Sequence, residues 1–236
     1  MTPTAASETE PLLKVSEIFD SIQGEGASAG TPCTFLRLAG CNLSCSWCDT
    51  PYTWDWKRFD RNQEITRRTL AEVAARIGDA PRLVVTGGEP LLQQRTLAQL
   101  FELLPATLPI EVETNGTIVP SAPLLHRIQQ WNVSPKMKNS GESLERRFKF
   151  EALSALRASG RAWLKLVVAG EHDVAEAMRL ASELEWDRTR VLLMPLADTR
   201  EVLHELLPQV QRLAAANGVG ASSRLHVELW SGKRGF

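Results

Sequence analysis

A short apolar run meets a glycine-rich turn in the stretch Leu83-Val84-Val85-Thr86-Gly87-Gly88-Glu89-Pro90, and a helix-like run follows it at residues 97–104. The same order recurs along the chain: β-like runs lie at 15–19, 34–38, 83–86, 110–114, 131–134, 163–168, 191–194 and 225–229, and helix-like runs at 69–77, 97–104, 123–130, 151–158, 174–184 and 201–216. Such alternation predicts an α/β fold with a parallel sheet and right-handed crossovers. About six or seven units are too few for a closed eight-fold barrel. An incomplete, modified TIM-like (β/α) barrel is therefore the first interpretation, and an open doubly wound sheet the second.

Length, composition and charge limit the class of protein further. The chain has 236 residues, 43% hydrophobic and 23% charged, which excludes global disorder and fits one domain. We expect a loose, disordered tail over residues 1–11 and a single domain over residues 12–236. The net charge of −1 gives no argument for direct nucleic-acid binding. No uncharged run is long enough to span a membrane and no apolar leader is evident, so we expect a cytoplasmic, reducing location.

Three local features carry expectations of their own. Asp173 is predicted to cap the helix at residues 174–184, and Pro208 to kink or split the helix at 201–216. The charged, aperiodic segment 140–149 is predicted to be a mobile excursion from the fold.

Polar motifs follow several of the predicted strands. They are Thr86-Gly87-Gly88-Glu89-Pro90, Glu113-Thr114-Asn115-Gly116, Ser134-Pro135-Lys136 and Met194-Pro195. Parallel α/β folds place their chemistry at the carboxyl ends of strands. The sequence therefore predicts one functional rim to which all four motifs contribute.

Three of the four cysteines are crowded into eight residues. Cys41, Cys45 and Cys48 have C-x3-C-x2-C spacing, and thiolates this close can hold one iron–sulfur cluster, zinc or copper(I). A three-thiolate [4Fe–4S] cluster would leave one iron free for a substrate or cofactor. The alternatives are zinc completed by Cys33 or a distant histidine, and plain buried thiols. Cys33 itself precedes an apolar strand and is expected to act as a small buried hydrophobe.

The cysteine spacing resembles that of the radical S-adenosylmethionine (radical SAM) superfamily, in which a C-x3-C-x-aromatic-C loop holds a [4Fe–4S] cluster. Trp47 stands at the aromatic position. The Gly87-Gly88-Glu89-Pro90 segment resembles the glycine-rich motif that follows the next strand in that superfamily. Both motifs occur in the expected order, which favours the cluster over zinc.

A closer resemblance covers residues 15–236. The motifs that carry it are Ser21-Ile22-Gln23-Gly24-Glu25-Gly26, Asp49-Thr50-Pro51-Tyr52-Thr53-Trp54, Glu113-Thr114-Asn115-Gly116-Thr117 and Leu229-Trp230-Ser231-Gly232-Lys233-Arg234-Gly235. Together they are similar to the 7-carboxy-7-deazaguanine synthase family. The resemblance implies conversion of 6-carboxy-5,6,7,8-tetrahydropterin to 7-carboxy-7-deazaguanine with loss of ammonia, in queuosine and other 7-deazapurine biosynthesis. It also implies a Mg²⁺ requirement, a homodimer and an electron-donor protein such as a flavodoxin.

The resemblance further implies a role for particular residues. Cys41, Cys45 and Cys48 would hold the [4Fe–4S] cluster, and Thr50 would bind Mg²⁺. Contacts to S-adenosylmethionine are implied for Trp47, Cys48, Asp49, Gly88, Ser134, Pro135, Lys136 and, with a weaker match, Met194, Pro195, Leu196 and Ala197. Contacts to the pterin are implied for Ile22, Gln23, Gly24, Arg37, Thr86 and the C-terminal carboxylate of Phe236.

Several of these residues have a plainer interpretation. Arg37 suits a substrate carboxylate through its planar fork, but it could instead be a solvated or structurally paired arginine. The C-terminal tail could be a frayed end. Glu89 and Glu113 could be structural or could bind the cofactor's amino group, with Glu113 favoured for binding. The aromatic residues Trp47, Tyr52, Trp54 and Trp56 could shield a cluster or form a hydrophobic wall. The four histidines are interpreted as incidental.

Two other functions share some of these features. A radical SAM activase, which makes a glycyl radical on a partner protein, would share the cysteine loop. It would not need the Gln23-Gly24-Glu25-Gly26 segment or the basic tail. A non-enzymatic zinc module would contain zinc without iron or sulfide.

Overall fold

The computed structural model describes residues 10–231 and 233–236. The strands are β1 Leu12–Ile22, β2 Pro32–Leu38, β3 Thr66–Thr69, β4 Leu83–Gly87, β5 Ile110–Thr114, β6 Gln130–Val133, β7 Ala162–Val168, β8 Val191–Pro195 and β9 Gly220–Ala221. The helices are α1 Arg61–Glu64, α2 Leu70–Ile77, α3 Gln94–Leu103, α4 Ala122–Arg127, α5 Leu144–Arg147, α6 Phe150–Ala158, α7 Glu171–Glu183, α8 Arg200–Ala216 and α9 Leu225–Trp230. Most of the predicted tail lies outside the described residues. Glu10 and Pro11, which are described, precede β1.

One sheet contains all nine of these strands, in the order β3-β1-β2-β4-β5-β6-β7-β8-β9. Every pair from β2 to β9 is parallel, whereas β1 is antiparallel to both β2 and β3. A doubly wound sheet would reverse its strand order at a switch point between parallel strands, whereas the parallel strands here, β2 and β4 to β9, follow one another in sequence order. The two edge strands, β3 and β9, do not pair with each other. The incomplete, barrel-like architecture is confirmed.

Strand alternation separates the apolar core from an inner, polar face. On β2, Leu36 and Leu38 belong to the main core, while Arg37 lies on the opposite face. On β7, Leu164 and Leu166 belong to the core, and Lys165 faces the other way. Because successive side chains of a strand point to opposite faces, an apolar strand can carry one charged residue into the interior.

The predicted strand at residues 225–229 is wrong, because this segment forms helix α9. Alternation over five residues cannot distinguish a short strand from a short helix. The sheet already ends at β9, and the amide of Leu225 donates to the carbonyl of Gly24 at 2.8 Å. The contact with another loop, together with burial of Val227, fixes the segment as a helix.

The structure contradicts one smaller expectation about helices and part of another. Helix α7 begins at Glu171, so Asp173 lies inside its first turn and accepts hydrogen bonds from the amide of Ala169 and from Asn139. Helix α8 is not split at Pro208, whereas the kink stays a prediction. Pro208 and His204 are both exposed, so water can reach the carbonyl that the proline leaves without a donor.

The segment 140–149, predicted to be a mobile excursion, is packed against the cysteine loop. The amide of Ser46 donates to the carbonyl of Ser140 at 3.0 Å. Glu142 is buried and accepts from the amide and hydroxyl of Ser44. Arg146 donates to the carbonyl of Asn42 at 2.8 Å. The charges of this segment therefore hold the loop that carries the cysteines.

Candidate active site

A cavity of about 470 Å³ opens on the inner face of the sheet, at the rim formed by the carboxyl ends of the parallel strands. The predicted site residues that line it are Ile22, Gln23, Gly24, Arg37, Cys41, Cys45, Trp47, Cys48, Asp49, Thr50, Thr86, Gly88, Ser134, Lys136, Met194, Leu196 and Phe236. Pro135, Pro195 and Ala197 do not line it. Ala197 is buried in a small apolar cluster with Leu203 and Val227. The rim predicted from the four motifs is thus a single site.

The three clustered cysteines face this cavity as free thiols. Their loop is fixed at its start by the amide of Gly40, which donates to the carbonyl of Thr53 at 2.7 Å. At its end, Nε1 of Trp54 donates to Sγ of Cys48 at 3.3 Å. Cys33 lies outside the cavity, in an apolar cluster with Phe35 and Val84, as predicted for a small hydrophobe. It is not a fourth ligand to the cysteine site.

The thiol set fits a [4Fe–4S] cluster. Burial raises the pKa of the Cys41 thiol to about 12 and also raises that of Cys45, so the thiolates need a bound cation to stabilise them. Among the described residues, the side chains grouped closely enough to hold a further metal are Glu25, Asp49 and His226, and no cysteine is among them. With Cys33 outside the cavity, three thiols face it; three thiolates would leave one iron of such a cluster open, whereas structural zinc takes four protein ligands.

Gly87 and Gly88 are required by close packing of two backbones. A Cβ on Gly87 would lie 2.1 Å from the carbonyl oxygen of Leu38, and one on Gly88 would lie 2.1 Å from that of Gly40. The end of β4 therefore sits directly against the start of the cysteine loop. The glycine-rich motif and the cysteine motif, which are separate in the sequence, are therefore in contact through these glycines. Gly87 and Gly88 also line the cavity.

The predicted cofactor-contacting residues from separate motifs meet beside the cysteines. Nζ of Lys136 lies 5.3 Å from the centre of the Trp47 ring and 3.3 Å from the hydroxyl of Ser134, to which it donates. Nε1 of Trp47 donates to the carbonyl of Asn139 at 3.0 Å. The segment after β6 and the cysteine loop thus form one surface.

Two glutamates differ in what they do. Glu89 is fully buried and accepts hydrogen bonds from the amides of Leu91 and Asn115 and from the hydroxyl of Thr114, so it is structural. Glu113 lines the cavity and accepts from Thr86 at 2.7 Å. Glu113 remains the better placed of the two to meet a ligand.

Gln23 and Arg37 are oriented by carboxylates. The side-chain amide of Gln23 donates to Glu111 at 2.7 Å and to Glu113 at 3.2 Å, while its oxygen accepts from the amide of Glu25. Nε of Arg37 donates to Glu17 at 2.8 Å. In the described part of the chain, that bond is the one hydrogen bond of the Arg37 guanidinium, so its two Nη groups are available to the cavity. Arg37 is therefore structurally paired and ligand-facing at once.

A group of titratable residues that sequence analysis did not select also lines the cavity: Glu25, Lys165, Arg224 and His226. Lys165 forms an ion pair with Glu25, and Nε of Arg224 donates to Glu25 at 3.0 Å. Burial alone would raise the pKa of Glu25, but Lys165 and Arg224 outweigh it and hold that pKa well below its usual range. We call Glu25, Lys165 and Arg224 the charged wall.

One of these residues carried a signal in the sequence. Lys165 is a single charge inside the apolar run Ala162–Val168, and a lone charge in a buried strand needs a partner. His226, which was interpreted as incidental, lines the cavity. Its ring packs on Gly24, where a Cβ would lie only 2.4 Å from Nδ1. No signal could have found it, because residues 225–229 were assigned to a strand.

The C-terminal tail is tied across the cavity mouth. The Arg234 guanidinium lies 3.5 Å from the centre of the Tyr52 ring and forms ion pairs with Glu17 and Glu64. Phe236 stacks on Trp230 with 6.0 Å between ring centres. These contacts disagree with a frayed end.

Of the aromatic residues near the cysteines, Trp56 does not line the cavity, while Trp47, Tyr52 and Trp54 do.

Residues 36–207 match the family described as the radical SAM superfamily, to which the chain belongs. Similar proteins of known function identify the family within this superfamily. The chain is 38% identical to the 7-carboxy-7-deazaguanine synthase of Pyrobaculum aerophilum, over 95% of this chain and 98% of that protein. It is 39% identical to the synthase of Hyperthermus butylicus, over 94% of each chain. It therefore belongs to the 7-carboxy-7-deazaguanine synthase family and is an enzyme.

A solved structure supports the same assignment. The crystal structure of QueE from Escherichia coli superposes with a TM-score of 0.67 at 25% identity, and it covers 91% of this chain and 95% of that one. The match over nearly both whole chains agrees with the incomplete barrel. Among the described residues, no helix combines the length and apolarity that crossing a membrane requires.

Proposed function

We propose that the enzyme converts 6-carboxy-5,6,7,8-tetrahydropterin to 7-carboxy-7-deazaguanine with release of ammonia. The observation that carries this proposal is that three free thiols and a wall of paired charges face one cavity. When bound, the cluster and S-adenosylmethionine supply a carbon-centred radical that removes hydrogen from the pterin. The protein's own residues bind and orient the ligands and keep water away.

In the proposal, the substrate carboxylate binds the Nη groups of Arg37. The bond from Nε to Glu17 fixes the plane of the guanidinium, and a planar fork matches a carboxylate in two hydrogen bonds. The pterin ring lies against Ile22, Gly24 and Thr86. Because the Gln23 side chain is fully used by Glu111, Glu113 and the Glu25 amide, Gln23 acts by fixing the backbone of this stretch.

Cofactor contacts in the proposal follow from the surface beside the cysteines. Trp47, Cys48, Asp49, Gly88, Ser134 and Lys136 line the cavity there, and in the proposal Met194 and Leu196, which also line it, close this surface. In the proposal, Pro135, Pro195 and Ala197, which do not line the cavity, fix the backbone of the lining residues next to them. The terminal carboxylate of Phe236 reaches the substrate from the mouth of the cavity.

Magnesium belongs to the proposal through Thr50. Its hydroxyl lies 3.7 Å from Sγ of Cys48 and borders the same cavity. Mg²⁺ takes few protein ligands and keeps several waters, so one hydroxyl beside a carboxylate-bearing substrate suits it.

Family membership supports the remaining parts of the proposal. They are a homodimer, an electron-donor protein such as a flavodoxin, no direct contact with nucleic acid, a place in queuosine or other 7-deazapurine biosynthesis, and a reducing cytoplasmic location, which keeps the cysteines available as thiols.

The test is anaerobic turnover with 6-carboxytetrahydropterin, S-adenosylmethionine, Mg²⁺ and a chemical reductant. We expect 7-carboxy-7-deazaguanine and ammonia in equal amounts, and less product when Mg²⁺ is chelated. Iron-replete protein that makes neither product would refute the proposal. The activase alternative has no support among the relatives reported above. Zinc without iron in anaerobically purified protein would favour the zinc module.

A further inference from the structure

We infer that Arg224 is a positioning residue that joins the cofactor side of the cavity to its substrate side. The inference rests on the proposed function, because it concerns how the two ligands of that reaction share one site. Arg224 immediately precedes α9, in a region where sequence analysis found no candidate.

Arg224 is bonded to three separate loops. Its Nε donates to Glu25 at 3.0 Å, its Nη1 donates to the carbonyl of Ala197, and its Nη2 donates to Asp49. Glu25 follows β1 beside the proposed pterin contacts, Asp49 follows the last cysteine, and Ala197 follows β8. One side chain therefore bonds to the substrate loop, the cysteine loop and the loop proposed to close the cofactor side.

The chemistry of the side chain explains why arginine stands here. Its guanidinium is planar and presents donors in several fixed directions, so it can bind three acceptors at once, whereas a lysine ammonium is a single point charge. Arg224 is 6% exposed, so little water can replace these bonds.

The same position is not a second metal site. Ligand atoms of Glu25, Asp49 and His226 lie within 4.8 Å of one another, a spacing that could accept an ion. Arg224 already donates to both carboxylates, and its Nη2 lies 3.4 Å from Nε2 of His226. The positive charge at this point is therefore the guanidinium itself.

The bonds of Arg224 to three loops should make the binding of the two ligands cooperative. A ligand that orders one of the three loops also orders the other two through Arg224, so the second ligand loses less conformational freedom when it binds. Cofactor and pterin should then bind cooperatively, and each should raise the affinity of the other by the same factor. A factor of about ten is typical of such coupling.

The experiment measures the dissociation constant of 6-carboxytetrahydropterin with and without S-adenosylmethionine, on anaerobic, cluster-loaded protein. In the wild type we expect S-adenosylmethionine to tighten pterin binding about tenfold. In Arg224→Gln and Arg224→Lys we expect this factor to fall towards one. Both variants should keep three thiolates and load the cluster, as judged from iron content and the visible spectrum.

The matched control is His204→Gln. Nε2 of His204 lies 2.7 Å from a carboxylate oxygen of Glu228, so this side chain also holds α9, but it stands within α8 and bonds to none of the three loops. The control should keep the wild-type coupling factor. Should Arg224→Gln fail to fold, Arg224→Lys retains the buried charge and decides the matter.

Two results would overturn the inference: a wild type in which the two ligands bind independently, or an Arg224 variant that keeps the full coupling factor. Loss of coupling in His204→Gln as well would assign the effect to general loosening of α9 and would also overturn the inference. A wild type that neither binds nor converts the pterin would instead refute the proposed function.

Discussion

The cavity has two walls that are built in opposite ways. The cysteine wall comes from residues 41–48, which are adjacent in the sequence, and it carries thiols whose chemistry depends on a bound cluster. The charged wall comes from Glu25, Lys165 and Arg224, which are far apart in the sequence and in which both cations pair with the one carboxylate. Substitutions in the cysteine wall should therefore abolish activity without unfolding the protein. Substitutions in the charged wall should reduce both the stability of the fold and the function of the site.

The largest effect is expected from Cys45→Ala. It removes one of three thiolates, so cluster loading and turnover should be abolished, while the fold should persist because the main core lies on the other face of the sheet. Iron and sulfide analysis, product assay and a thermal unfolding curve measure the three properties. Cys33→Ala is the control and should keep the cluster, since Cys33 lies outside the cavity. An active Cys45→Ala enzyme would contradict the ligand assignment.

A large effect on stability is expected from Lys165→Met. The substitution breaks the buried ion pair and leaves Glu25 with Arg224 alone, a cation that Asp49 also shares, so it should cost up to about 3–5 kcal/mol. Urea unfolding followed by circular dichroism measures the free energy of unfolding. The control Arg157→Met breaks an exposed pair with Glu185 and should cost less than about 1 kcal/mol. Equal losses in the two variants would remove the distinction between the walls.

Arg37→Ala should produce a smaller effect that concerns one ligand only. It removes charge-assisted hydrogen bonds to the substrate carboxylate, worth about 1.5–3 kcal/mol, so the pterin dissociation constant should rise by about ten- to a hundredfold. Binding of S-adenosylmethionine should change little. Arg58→Ala, which also removes an arginine stacked on an aromatic ring but lies outside the cavity, is the control. Equal losses for both ligands would make Arg37 structural.

The smallest effect concerns His226 and pH. Burial lowers the pKa of His226, an effect that the nearby Arg224 reinforces and that Glu25, Asp49 and Glu113 oppose. The unfolded chain takes up a proton as pH falls below about 6.5, whereas the folded protein resists it, so stability is lost on going to lower pH. His226→Gln should flatten the fall in unfolding free energy between about pH 7 and pH 5.

His172→Gln is the control for this measurement, since the His172 side chain is 82% exposed. An unchanged slope in His226→Gln would show that another group titrates in this range.

The cysteine wall was predictable from the sequence, whereas the charged wall was not. The motif at Cys41–Cys45–Cys48 and the glycine pair were recognisable because their members are neighbours in the chain, and the comparisons confirmed the family. None of the three residues of the charged wall was assigned a role from the sequence. Glu25 was quoted only as part of a motif, Lys165 was an unremarked charge in a strand, and Arg224 preceded a segment assigned to the wrong element.

By itself, the sequence indicated most of the strands and helices in their order, favoured an incomplete barrel over a doubly wound sheet and marked the cysteine motif, because hydrophobic periodicity and short-range spacing are local properties of a chain. Only the tertiary structure decided which charges meet across the cavity, that Glu89 is structural, and that Arg224 bonds to three loops. Those contacts join residues separated by up to 199 positions, as Glu25 and Arg224 are. Their partners are selected by the packing of strand ends into one rim, which no local pattern records.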